Sequence, residues 1–477
     1  MPVNSRRRFL QQASAVAAVA SVKGLSLQAQ RGHHAPPRAW VTDPNRRYAP
    51  LTVGPWIPSG SAIPGAIAID PAQRFQSILG FGGAFTDASC YLFGKMPQAA
   101  RRQLLEDLYG SSGLRLSVGR TCIGASDYSL TAYSFDDSPT PDPELKHFSI
   151  DHDRAYILPT LREARSVNPE LFLFSAPWSP PGWMKANNSL LGGSMQKKYF
   201  AAYAQYFVKF LQGYKQAGVP ISAITSQNEV DTGQDGRMPA CLWGQEYEIG
   251  FVRDFLGKAL LDAGLDTKIW ILDHNYDLWG RVLDELSDPG LARWVDGVAW
   301  HGYMGSPAAM TRVHSAYPSK HMYWTEGGPD ISDPQYALDW AKWSSSFSGI
   351  LKNWARCIVS WNLLLDEHGK PNIGPFSCGG LVTLNSKTQE ISRSGQYWAF
   401  AHYAKAIRRG ARVLASSGGA FGLDHAAFLN PDGGYVLVLT NQGEERNVEC
   451  HMQGRAMQVT MPRDSIVTLE WSEHEFA

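Results

Sequence analysis

The chain has no excess of charge of either sign: 44 Lys and Arg balance 44 Asp and Glu over 477 residues. That neutrality gives no electrostatic attraction to nucleic acid, an anionic membrane or a polyanionic substrate. Cysteine is sparse. Its six positions (Cys90, Cys122, Cys241, Cys357, Cys378 and Cys450) form no C-x-x-C pair and have no histidine at zinc spacing, so no metal or other cofactor is implied. An even count permits disulfides, but nothing in the spacing assigns pairs, and buried free thiols are the expectation. Internal repeats, low-complexity linkers, G-x-S-x-G, P-loop and H-E-x-x-H motifs are absent from the sequence. The glycines of Phe81-Gly82-Gly83-Ala84-Phe85-Thr86-Asp87 miss the dinucleotide fingerprint, because counting from Gly80 and Gly82 the last position is Phe85. A Schiff-base barrel needs a strand-end lysine, and none is evident.

Long apolar runs are also missing. The run Ala13 to Val22 is too short to span a bilayer, and it follows Ser5-Arg6-Arg7-Arg8-Phe9-Leu10. Residues 1–29 therefore read as a twin-arginine export signal with cleavage after Ala29, and the mature protein is expected in the periplasm or secreted, without a transmembrane anchor. Aromatic residues, in contrast, are plentiful at 12%, with 16 Trp. Amphipathic rings suit both a large core and a cleft that stacks on sugars.

The remaining chain reads in three parts. Short strands within 30–74, such as Ala39 to Thr42 and Ala66 to Ile69, are too close together to hold a helix and need partners elsewhere. From 75 to 410 strands alternate with helical runs: Gln76 to Phe81, Leu114 to Arg120, Leu171 to Ser175, Ile221 to Ser226, Lys268 to Leu272, Val295 to Trp300, His321 to Thr325 and Cys357 to Trp361. Eight strand-then-helix units predict an α/β fold of the (β/α)8 TIM-barrel type. The stripe Phe200, Tyr203, Phe207, Phe210, Leu211 and Tyr214 has helical spacing and reads as core. From 411 to 477 the pattern is all β, with turn signals every 8–12 residues, and predicts a small sandwich that the 30–74 strands join.

Two stretches carry the chemistry. Asn228-Glu229 follows strand four, and Thr325-Glu326 closes strand seven, so both glutamates face the C-terminal mouth of the predicted barrel. A facing carboxylate pair, one acting as general acid and base and the other as nucleophile about 5 Å away, is the minimum equipment for retaining glycoside hydrolysis. Other residues gather at the same mouth. Asn228 is placed to hydrogen-bond a sugar 2-hydroxyl. Asp87 is either a hydroxyl acceptor or a helix N-cap. Trp178, on the proline-stiffened loop Ser175 to Trp183, suits a stacking wall, whereas Trp183 suits packing. Tyr303, in His301-Gly302-Tyr303, and Arg120 can each hold Glu326 ionised. A carbohydrate-binding protein without catalysis is the alternative from another class, and the presence of both glutamates counts against it.

These motifs together with Gly80 to Asp87, Ser175 to Pro180 and Trp361-Asn362 resemble glycoside hydrolase family 30 from about Trp40 to the C-terminus. The resemblance implies Glu229 as acid/base and Glu326 as nucleophile. It further implies Asp87, Trp178, Asn228, Tyr303 and Trp361 around the glycone, with Asn275 and His301 as further substrate-binding positions and Arg120 in support. It implies a β-glycoside substrate, with β-glucosides first and β-xylosides or endo-β-glucans, including β-1,6-glucan, as alternatives. Two positions depart from the glucosylceramidase type: Val230 follows the glutamate in place of proline, and no asparagine lies near Phe376.

Overall fold

The computed structural model describes residues 36–60, 63–232 and 236–473. The proposed signal, residues 1–29, lies outside the described residues. Eight parallel strands close a barrel: Gly80–Phe85, Val118–Cys122, Phe172–Ala176, Ala223–Thr225, Lys268–Asn275, Val295–His301, His321–Glu326 and Ala355–Ser360, numbered one to eight below. Helices pack around the outside of the barrel, and the last of them, Gly395–Ala404, is buried on nearly every side. The helix Phe200–Gln216 buries Phe200, Tyr203, Phe207, Phe210, Leu211 and Tyr214, the stripe expected from its spacing.

Strand one is the largest displacement from the sequence reading. Gln76 and Ser77 finish the long strand Ile67–Ser77 of the second sheet, and the barrel strand begins only at Gly80. Its glycines, poor strand formers, hid it. They are required by crowding: a Cβ on Gly82 would lie 1.7 Å from the Val118 carbonyl oxygen. The segment that follows forms two helices, Asp87–Lys95 and Gln98–Tyr109, broken at Pro97.

The second sheet has ten strands drawn from both sides of the barrel sequence, four between Arg38 and Ser77 and six between Arg412 and Ser472. Its order brings Arg38–Asp43 beside Ser465–Ser472. Residues from distant positions in that order, such as Val41, Leu437 and Leu469 with Ile67, Cys450 and Val459, share one apolar cluster, so the sheet folds over itself as a sandwich. All six cysteines are free thiols. No helix among the described residues is long and apolar enough to cross a membrane.

His402, on the last barrel helix Gly395–Ala404, pins the two parts together. Its ring nitrogens lie 2.8 Å from Thr468 Oγ1 and 2.8 Å from Thr42 Oγ1, one hydroxyl from each end of the chain. Burial pushes the imidazole down to about 3. The unfolded chain therefore binds a proton that the fold refuses between about pH 3 and 6.5, and stability falls as pH drops through that window. At pH 5 the expected loss from this ring is about 2 kcal/mol. Chemical unfolding at pH 7.5 and pH 5 checks it: His402→Gln is expected to lose less stability on acidification than the wild type by about that amount.

Candidate active site

The strand tips place the polar residues by register. Asn275, His301 and Glu326 close strands five, six and seven side by side. Arg120 lies inside strand two opposite Ala84 and Phe174, fully buried. Its guanidinium donates to Glu326 Oε2, to Asn228 Oδ1 at 2.7 Å and to Asp273 Oδ2 at 2.8 Å. Because arginine only donates, Asn228 must turn its oxygen inward, leaving its NH2 for the cavity. Asp273 also accepts from the hydroxyls of Thr225 and Thr325 at 2.8 and 2.7 Å. Burial would raise this carboxyl, but the Arg120 charge and the His301 ring outweigh it and hold it well below the usual carboxylate range.

His301 joins the acids. Its Nε2 lies 3.0 Å from Asp273 Oδ1, and its Nδ1 lies 3.2 Å from Glu229 Oε1 and 3.7 Å from Glu326 Oε1. The sum of the last two distances, 6.9 Å, is the most that can separate the two glutamate oxygens. That ceiling, which applies to one oxygen of each acid, admits the retaining spacing of about 5–5.5 Å. Burial lowers the His301 ring, but the carboxylates of Glu326, Asp273 and Glu229 push it up to about 9. Burial also raises both glutamic acids. At Glu229 the His301 bond and charge prevail and hold it below its ordinary value, whereas Glu326 stands above its own despite the His301 and Arg120 charges. Tyr303 donates to Glu326 Oε1 at 3.0 Å.

Strained backbone supports this cluster. Glu229, Leu272 and Asp273 have φ of +49°, +72° and +47°, left-handed values unfavourable for these residues. The Glu229 N–H donates to the Asp273 carbonyl at 2.9 Å, tying the two turns together. Behind them the buried Glu248 carboxylate accepts from Ser226 Oγ at 2.6 Å and from Leu272 N–H at 3.2 Å, clamping strand four to strand five.

Above the acids opens a cavity of about 490 Å³. Trp178 and Trp361 stack at 5.1 Å to form one wall, directly over the Arg120 guanidinium. Glu229, Glu326, Asn228, Asn275 and Tyr303 line the cavity as expected, and Asn275 Oδ1 accepts from the N–H of Tyr303 at 3.1 Å. Two expected residues do not line it. Asp87 starts the helix Asp87–Lys95, capped by Thr86, and its oxygens are taken by Leu130 N–H at 2.8 Å and Tyr156 O–H at 2.7 Å. His301 lies fully buried beneath the carboxylates, so it meets Glu229 and not the substrate space.

The sequence reading missed Asp127, Asp273, His274 and Glu248. Asp127 lines the cavity with Glu229, Glu326 and Asp330, and burial together with the Glu326 and Glu229 charges raises its carboxyl well above the usual range. It sits in a long loop after strand two with no periodic pattern to mark it. Asp273 had a signal: Leu272-Asp273-His274-Asn275 extends strand five by three residues beyond its apolar run. Glu229, His274 and His301 also set three possible ligand atoms within 4.8 Å of one another, and a divalent ion seated there would displace the proton from Glu229.

Asp127→Asn and Asp87→Asn should separate cleanly. Loss of a hydrogen bond between neutral groups, worth roughly 1–1.5 kcal/mol, predicts an approximately 5- to 12-fold drop in kcat/KM on β-glycosides for Asp127→Asn. For Asp87→Asn the expected change is a lower Tm with kcat/KM within about threefold of wild type; initial rates and thermal melts check both.

The geometry agrees with what the chain resembles. The model of the glycosyl hydrolase family 30 TIM-barrel domain matches residues 78–407, and that of the family's β-sandwich domain matches residues 410–469. An endo-1,6-β-D-glucanase of Neurospora crassa is 33% identical over 460 residues, covering 91% of this chain and 94% of that protein. The lysosomal acid glucosylceramidase of Mus musculus is 28% identical, covering 80% of this chain and 78% of that one. Among solved structures, SrfJ from Salmonella typhimurium superposes with a TM-score of 0.87 at 27% identity, over 92% of this chain and 99% of that one. The endo-β1,6-glucanase BT3312 gives 0.83 at 28%, over 92% and 100%. The chain belongs to glycoside hydrolase family 30 and is a glycoside hydrolase.

Proposed function

We propose that the enzyme hydrolyses β-glucosides with retention of configuration, that Glu326 is the nucleophile and Glu229 the acid/base, and that the substrate is a β-1,6-linked glucan. The observation that carries the mechanism is the meeting of both glutamates at His301 Nδ1, 3.2 and 3.7 Å away. The two acids titrate as one group with His301. A cationic His301 with ionised Glu229 contains the same number of protons as neutral His301 with protonated Glu229. One proton shift along the 3.2 Å contact therefore gives the reacting state.

In that state Glu326 is the anion, because the Arg120 guanidinium and the Tyr303 hydroxyl both donate to it. Glu326 attacks the anomeric carbon while Glu229 gives its proton to the departing oxygen. Glu229 then takes a proton from water, which releases the sugar from Glu326. The Asn228 amide faces the glycone 2-hydroxyl, and the Trp178 and Trp361 wall bounds the ring.

The β-1,6-glucan reading is supported by the Neurospora relative, whose alignment spans nearly both chains. The mouse glucosylceramidase and the apolar rim residues Met304 and Phe376, 59% and 42% exposed, favour a glucolipid as the second reading. Rates on β-1,6-glucan, p-nitrophenyl β-glucoside, p-nitrophenyl β-xyloside and a β-glucosyl lipid, with product anomers followed by NMR, test all of this. The expected result is fastest cleavage of the glucan, β-anomer formed first, and a fall of at least about 10³-fold for Glu326→Gln. An α-anomer formed first would falsify the retaining assignment, and faster cleavage of the lipid would replace the glucan.

Arg6, Arg7, Phe9 and Leu10 support export by the twin-arginine route. Cell fractionation of the wild type and of an Arg6→Lys, Arg7→Lys double variant checks this reading. The wild type is expected outside the cytoplasm and the variant within it.

A further inference from the structure

The loop between strand two and the helix Ile157–Val167 contains a second cluster of ligand-type side chains, separate from the catalytic acids. Asp136, Asp142 and His147 each offer one atom, and these atoms lie within 4.8 Å of one another. Asp136 is fully buried. Its Oδ1 takes a long bond of 3.3 Å from the Trp183 indole, and its Oδ2 is buried with no hydrogen-bond partner. A buried carboxylate oxygen without a partner takes up a proton or a cation, and here a second carboxylate and an imidazole stand beside it to share a cation.

The nearby protein groups are otherwise engaged. Lys209 donates its ammonium to the Leu145 carbonyl at 2.6 Å, and Lys146 pairs with Glu144 at 2.6 Å. Asp142 Oδ2 meets the backbone N–H and the Nδ1 of His147, both at 2.9 Å, which orients the ring beside the two acids.

We propose that Asp136, Asp142 and His147 form a structural site for a first-row divalent cation, Mn2+ or Zn2+. Two carboxylates and one imidazole suit these ions better than the all-oxygen shell that calcium prefers. Ligand atoms about 2.0–2.2 Å from an ion lie at most about 4.4 Å apart, a span comparable with the separations in this cluster. The ion would brace two loops at once. Asp136 also accepts the Trp183 indole on its carbonyl at 3.1 Å, and Trp183 belongs to the loop that carries Trp178, while the strand-two loop itself carries Asp127.

The test uses the whole chain, stripped with EDTA and then titrated with MnCl2, ZnCl2 or CaCl2. Thermal melts and bound metal per chain are the two readouts. One Mn2+ or Zn2+ per chain is expected, with Tm rising by about 3 °C at an ion concentration near 100 times Kd. The side chain of His147 is 61% exposed, so His147→Ala is expected to keep the metal-free Tm and lose the rise. Asp136→Asn should raise the metal-free Tm and also lose the response. Glu229→Gln, which removes the ligand shared by the catalytic cluster, should retain it. No bound ion, a rise that survives in both His147→Ala and Asp136→Asn, a rise lost in Glu229→Gln, or an equal response to Ca2+ would each overturn the assignment.

Discussion

Everything at the mouth of the barrel is arranged around the positive charge of Arg120, buried in strand two. A guanidinium removed from water costs several kcal/mol unless it is paired, and here its two terminal nitrogens donate to Asp273, Asn228 and Glu326 together, while Nε stays without a partner among the described residues. Two of these partners are carboxylates that burial alone would neutralise. The charge therefore works in both directions: the acids make the cation tolerable inside the protein, and the cation holds Asp273 ionised and opposes the effect of burial on Glu326. Asp273 transmits this to His301, and His301 to Glu229, so the two glutamates are coupled through a continuous chain of polar contacts rather than by proximity alone.

The barrel makes such a cluster possible because neighbouring parallel strands present their ends at one level. Asn275, His301 and Glu326 come from segments far apart in sequence yet occupy adjacent register positions. The cost is local strain, concentrated in the left-handed residues Glu229, Leu272 and Asp273. Glu248 and the Glu229 to Asp273 backbone bond hold those turns in place. Above them, an aromatic wall of Trp178 and Trp361 meets a rim containing Met304 and Phe376. A charged floor, a flat apolar wall and an open edge are the features that a sugar with a variable leaving group requires.

Much of this was legible in the residues. Apolar runs alternating with helical stripes gave eight barrel strands, although strand one, rich in glycine, began four residues later than its apolar pattern indicated. The strand-end glutamates, the tyrosine on Glu326 and the tryptophan of the proline-rich loop all lie where their local context placed them. Asp87 shows the limit. Its short-range context allowed both a helix start and a sugar contact, and only the positions of Leu130 and Tyr156 decide between them.

What the sequence by itself determined is whatever depends on neighbours along the chain: the period of each strand and helix, the breaks at proline, the absence of metal and redox motifs, and which strand ends carry acids. Tertiary structure alone decided the rest. It brought Asp127, in an irregular loop, to the cavity, placed His301 below the acids instead of beside the sugar, and brought Glu248 behind strands four and five. The physical reason is that burial and charge pairing are properties of three-dimensional neighbours, here separated by 206 positions in the Arg120 to Glu326 contact, and no local pattern encodes them.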